Sequence, residues 1–287
     1  HGEYKFEPKF VDSWIVGANG RLYTPVSEGT IFSDTIIGER ITNIEGGVYT
    51  GIEHKLMDQR LKVNATIRLD KNQNFNIIPT PAASLVFNPK EDTYIRASFS
   101  SAIRNPTLAD QYLYLNVGPA ILSGNLNGVD SLATIESFTN FREALNQDTL
   151  VYFDIDPIRP ERVKTFEAGV RTTLFDKIYV DAGYYYSIYD DFIGYNLGLD
   201  LEFDPDQTIP FPDVQAYRFA ANSINQVTTQ GFSIGLNYYF ADLYQLSGNY
   251  SWNRLNQNLD DPIIPAFNTP EHKFNISISG REIGRAH

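Results

Sequence analysis

The chain has no cysteine and a single methionine among 287 residues. Without cysteine there is no disulfide framework and no thiolate metal site, and the absence suits passage through an oxidising compartment without thiol pairing. Positive charge is scarce as well: 23 Lys and Arg stand against 35 Asp and Glu, for a net charge of −12. Binding a nucleic-acid backbone requires clustered cations, so that class of partner is excluded. No apolar run reaches the roughly 18 residues of a transmembrane helix. The opening "HGEYKFEPKF" lacks the basic start and apolar stretch of a signal peptide. With 42% hydrophobic and 20% charged residues, the composition excludes a disordered chain.

What is abundant is aromatic. Eighteen Tyr and 19 Phe fit a pleated, half-buried surface, so an all-β class is expected. In "YQLSGNYSWN" (244–253), Tyr244, Leu246, Gly248, Tyr250 and Trp252 share one parity, and Gln245, Ser247, Asn249, Ser251 and Asn253 the other. Successive strand side chains point to opposite faces, giving a ribbon with one apolar and one polar side. The pattern recurs at 61–70, 232–240 and 273–279, near 14–22, 48–56, 166–174 and 180–188, and more weakly at 83–87 and 93–101. That makes roughly ten strands.

The connections alternate in length. Short ones at 57–60, 88–92, 175–177 and 240–243 interleave with long ones at 24–44, 71–81, 103–161, 196–215 and 256–270. An antiparallel up-and-down meander then carries tight turns at one rim and long loops at the other, the layout of an outer-membrane β-barrel. Within the longest loop, 131–148 has room for a short helix.

Two solvents suit the apolar parity. In a soluble β-protein it packs a core; in a membrane barrel it meets lipid while the other parity lines the lumen. Apart from tyrosines, His54 is the only ionisable group on that parity across the clearest strands, which both readings expect. Tyrosine placement favours lipid: Tyr184, Tyr186, Tyr238, Tyr244 and Tyr250 lie on the apolar parity, often near strand ends. A dry core must satisfy every hydroxyl, whereas a membrane interface seats such rings readily. Ile67, Ile234 and Leu246 are therefore expected to face lipid, and Asn64, Asn237 and Asn249 the lumen. A soluble or surface-displayed β-rich binding or adhesion protein is the alternative.

Longer stretches resemble the TonB-dependent receptors, in the flavour that carries a carboxypeptidase-regulatory-like N-terminal domain. They are "YIRASFSSAIRNPTLADQYLYLN" (94–116), "IRPERVKTFEAGVRTTLFDKIYVDAGYYYSIYDDFIGY" (158–195), "TTQGFSIGLNYYF" (228–240) and "NTPEHKFNISIS" (268–279). The resemblance implies an outer-membrane transporter of about 22 strands filled by a plug. It also implies import of a small-molecule or oligomeric nutrient (a siderophore, glycan, peptide or cofactor), driven by the TonB complex through that plug region. Residues 1–287 then form a partial barrel domain, without plug, TonB box or terminal strands. Outer-membrane lipid is a partner by the same implication.

Candidate site residues come from the loops. Arg104 and Asn105 follow a strand and face a ligand vestibule on one reading; on the other, Pro106 merely ends the ladder. Tyr112, Tyr114 and Phe138 suit stacking on a ligand, or packing within the loop. Asp200, Glu202, Asp204, Asp206 and Asp213 offer closely spaced oxygens, yet they lack EF-hand spacing and read as a solvated acidic loop. His1, His54, His272 and His287 show no metal-ligand spacing. No catalytic motif is present, so neither an enzyme nor a bound cofactor is expected.

Overall fold

The structure is a computed structural model, described over residues 1–34, 40–204, 211–240, 243–256, 264–265 and 269–280. The first six strands are β1 (Gly2–Phe6), β2 (Ser13–Tyr23), β3 (Asn43–Leu56), β4 (Leu61–Asn72), β5 (Ile78–Lys90) and β6 (Thr93–Arg104). Helix α1 (Leu108–Tyr112) and the short strands β7 (Tyr114–Asn116), β8 (Ala120–Ser123) and β9 (Ala133–Thr134) follow, then helix α2 (Ile135–Ala144). The chain continues through β10 (Glu161–Leu174), β11 (Ile178–Asp190), β12 (Ile193–Glu202) and β13 (Asp213–Asn222). It ends with β14 (Val227–Phe240), β15 (Tyr244–Asn256), β16 (Ile264–Pro265) and β17 (His272–Gly280).

Eleven strands form one antiparallel wall in the order β1-β2-β3-β4-β5-β6-β10-β11-β14-β15-β17. All ten expected strands are there, and β1 is an addition. Register keeps each parity on a single face. Ile67 lies opposite Thr50 and Pro81, Ile234 opposite Ala182 and Tyr250, and Leu246 opposite Tyr238 and Ile278. A one-residue slip in any strand would exchange the faces, so the apolar pattern itself fixes the pairing.

The outer face is apolar and uncovered: Val48, Ile67, Leu85, Phe166, Leu236 and Leu246 are all exposed. Aromatics border it. Tyr238, Phe240 and Tyr244 stack near the short-turn rim, while Phe232 packs on Tyr250 and Trp252 higher up. From Tyr244 to Trp252 is about nine residues, the length a tilted strand needs to cross the hydrocarbon layer. The inner face is polar, with Asn64 donating to Ser84, Gln245 to Asn237 and Asn275 to Asn249.

The turns 57–60 and 175–177 use left-handed backbone at Met57, Asp58, Gln59, Phe175 and Asp176. Residues 241–242 of the fourth expected turn lie outside the described residues, as does most of 256–270. Two connections differ from expectation. The one expected over 71–81 is only 73–77, because β4 runs on to Asn72 and β5 begins at Ile78. The one expected over 196–215 is largely the β12–β13 hairpin. Leu197, Leu199 and Leu201 keep a period of two along β12, and only the end of the hairpin nearest the wall is covered on both faces. Phe219 and Ala221 pack with Leu132, Phe192 and Val227, while Ile193 and Ala220 pack with Ile158 and Phe75.

The long loops thus build a second sheet, β16-β12-β13-β8-β7, with β9 on β12. We call this layer the roof. Helix α2 falls inside the stretch expected to hold one; Thr134 caps its start by accepting from Ser137 N at 3.2 Å. Its Phe141 is fully buried and packs edge-on against Phe203 and Phe211.

Candidate functional site

At the long-loop rim of the wall lies a cavity of ≈ 870 Å³. Its wall comes from inward-facing residues of β2 to β6, and its cover from 105–109. The polar parity of each strand supplies the lining, which is why the cavity carries charge without breaking the apolar outer face.

Two carboxylates organise it. Asp70 accepts Arg68 Nε at 2.7 and 2.8 Å, and Arg68 Nη2 also donates to Asn19 at 2.7 Å. Arg68 lies 5.8 Å from the centre of the Tyr49 ring, which steadies the guanidinium through its π face. Glu45 accepts from Tyr23 Oη at 3.2 Å, from Arg21 Nη1 at 3.5 Å and from Asn105 Nδ2 at 3.3 Å. The lining is therefore rich in donors and acceptors but nearly balanced in charge, suited to holding a polar solute rather than to proton or group transfer.

Of the four sequence-predicted residues, Asn105 lines the cavity. Arg104 instead donates to Glu161 at 2.7 Å and to Ile193 O at 3.3 Å, and Glu161 accepts Ile193 N–H at 2.9 Å. Wall strands β6 and β10 thereby hold the first residue of β12. Tyr112 is buried, its hydroxyl accepting from Asn74 at 2.7 Å. Tyr114 sits in the roof beside Tyr217, whose phenol burial pushes up to about 12, with Tyr114 adding to the shift. Phe138 stacks on Phe141.

Sequence reasoning missed Arg21, Glu45, Arg68 and Asp70. Their signal was visible as charges on the lumen parity near the long-loop ends of β2, β3 and β4. Asp206 lies outside the described residues, and among those described no group of three or more His, Cys, Asp or Glu is placed to hold a metal. His54 contacts Asp12 at 2.9 Å at the short-turn rim; Lys55 N–H also donates to Asp12 and holds its carboxyl below the usual range.

These features define an outer-membrane β-barrel wall, apolar outside and polar inside, with a ligand-sized cavity at its long-loop rim. The chain belongs to the TonB dependent receptor-like, beta-barrel family, whose model matches residues 5–281. That is a family of outer-membrane transport receptors. Three solved structures are similar in fold. A ferric enterobactin receptor of Pseudomonas aeruginosa in complex with enterobactin is 14% identical with a TM-score of 0.66, covering 97% of this chain and 38% of its own. The siderophore receptor PirA from Acinetobacter baumannii is 13% identical with a TM-score of 0.62, covering 96% and 38%. The FrpB iron transporter from Neisseria meningitidis is 13% identical with a TM-score of 0.61, covering 98% and 39%. The chain thus spans about two fifths of the length of these receptors. No curated protein matches it.

Proposed function

We propose that this chain is a large part of the barrel of an outer-membrane receptor that captures a scarce nutrient at its outer rim and imports it with energy from TonB. The complete barrel has about 22 strands around a plug, as in large transporters of this architecture. The observation that carries the reading is the cavity at the long-loop rim, lined by charged wall residues and by the segment 105–109. Arg68, Glu45 and Asn105 are its ligand contacts. Arg104, Tyr112 and Tyr114 act through the roof they hold in place. The ligand is a small or oligomeric nutrient able to accept and donate hydrogen bonds; a siderophore, glycan, peptide or cofactor meets that description.

The test is uptake. Cells lacking the receptor should lose growth on one limiting nutrient, and the same loss should follow deletion of TonB. Arg68→Ala should fail to restore growth although the protein reaches the outer membrane. Normal growth of the deleted strain across iron, copper, glycan, peptide and cobalamin limitation would sink the reading.

A further inference from the structure

The roof meets the wall in two unlike ways. The chain enters and leaves it from β6, β10, β11, β14, β15 and β17, six neighbouring strands. At the other side the contact is non-covalent: the loop after β2 donates from Ser33 N to Tyr112 O at 3.0 Å and accepts from Tyr114 N at Ile31 O at 2.8 Å, and side-chain amides of β3 and the 73–77 turn supply the rest. Gln111 Oε1 accepts from Asn74 Nδ2 at 2.7 Å and from Asn43 Nδ2 at 3.4 Å. Asn74 Nδ2 also reaches the Tyr112 hydroxyl at 2.7 Å. Gln111 is fixed for this by its own loop: Nε2 donates to Pro106 O at 2.7 Å, and Thr107 caps α1 beneath it. Phe75, from the same turn, adds an apolar contact to Ile158, Ile193 and Ala220.

The junction is imperfect. Asn43 is 3% exposed and lines the cavity, yet its Oδ1 has no hydrogen-bond partner. A buried polar network that leaves one acceptor unsatisfied is weaker than a complete one, so its closed form lies nearer in free energy to an open form. The apolar core around Phe219 and Leu132 is shared with Tyr189, Val227 and Leu255 of the wall strands β11, β14 and β15 and includes nothing from β3, so the roof can separate from β3 with this core intact.

We infer that Gln111 is a positioning residue, the latch that closes the roof over the cavity, with Asn74 and Asn43 as its catch on the wall. The roof opens at this side and pivots on its chain connections to β6, β10, β11, β14, β15 and β17, admitting solute from the β3 side. The purpose given to the opening rests on the import reading, but the latch is testable without any ligand.

The experiment is hydrogen exchange on the detergent-solubilised receptor. Asn74→Ala removes two wall-to-roof bonds from a turn outside the membrane strands and leaves the roof's own residues intact. Roof amides over 108–125 should exchange about tenfold faster, with β4 and β5 unchanged. Asn64→Ala, which alters a lumen asparagine bonded to Ser84, serves as the comparison and should leave roof exchange at the wild-type rate. Wild-type exchange in Asn74→Ala, or equal acceleration in both variants, overturns the latch.

Discussion

Arg96 on β6 reaches across β10 to Asp181 on β11, closing a 2.8 Å bond over the facing pair Gly169 and Gly183. The glycines make the reach possible. A Cβ at Gly169 would stand 2.8 Å from Arg96 Nε and 2.8 Å from Ala182 O. Asp181 also accepts from Arg171 at 2.7 Å, so one carboxylate ties together three strands of the lumen wall.

Gly169→Ala should therefore cost about 1–3 kcal/mol, since one of the crowded atoms is backbone and cannot swing away. Arg96→Ala should cost less, about 0.2–1 kcal/mol, because the pair is half exposed and Arg171 still serves Asp181. Urea melts of the two variants in detergent measure both. A Gly169→Ala protein as stable as wild type would show that the trough has room to spare.

Face assignment makes a second prediction. Ile234 lies on the uncovered apolar face and Asn237 on the lumen face beside Gln245. Arginine at a lipid-facing midplane position costs about 2–4 kcal/mol, so Ile234→Arg should lower barrel stability by that amount. Asn237→Arg has wet space to enter and should be tolerated better. Equal damage from the two substitutions would count against the bilayer as the outer solvent.

The same contrast explains what was legible in the sequence. Wall strands such as β15 meet lipid on one side and polar lumen on the other, so their alternation is clean and both existence and facing can be read. In the roof, β12 alternates too at Leu197, Leu199 and Leu201, but the end of β13 is packed on both sides, which erases period two and leaves Phe219, Ala220 and Ala221 as an apolar run. The cavity was half legible. Asn105 was named from its place after a strand, whereas Glu45 and Arg68 become neighbours only through the register of β2, β3 and β4. Arg104 looked like a ligand contact because its acceptors, Glu161 and Ile193, are 57 and 89 residues away.

Alkaline pH should loosen the roof before the wall. Burial raises the Tyr217 phenol from its ordinary value near 10 to about 12. The folded state thus holds this proton more tightly than the unfolded state, and the stability it contributes is fully present below pH 10. It is lost progressively as pH rises from about 10 to 12. Tyrosinate absorbance with roof amide exchange should show a late-titrating group coupled to roof opening, absent in Tyr217→Phe. An unchanged alkaline profile in Tyr217→Phe would assign the transition to other tyrosines.

The last prediction concerns sheet edges. Among the described residues, β1 and β17 pair on one side only, leaving a row of backbone N–H and C=O groups along each. In hydrocarbon each unpaired group costs several kcal/mol, so the wall needs further strands on both sides. In water the outer face fares no better: Phe274, Ile276 and Ile278 of β17 are 70–76% exposed and continuous with the apolar face of β15. Such a patch exceeds what a soluble monomer carries. Residues 1–287 produced alone should therefore aggregate in buffer, or stay in solution only with detergent and melt without a single cooperative transition. Sedimentation and thermal melting in detergent-free buffer are the measurements. A monodisperse monomer with one sharp melt would mean that the apolar face is covered by protein rather than lipid, and the barrel-wall reading would fall.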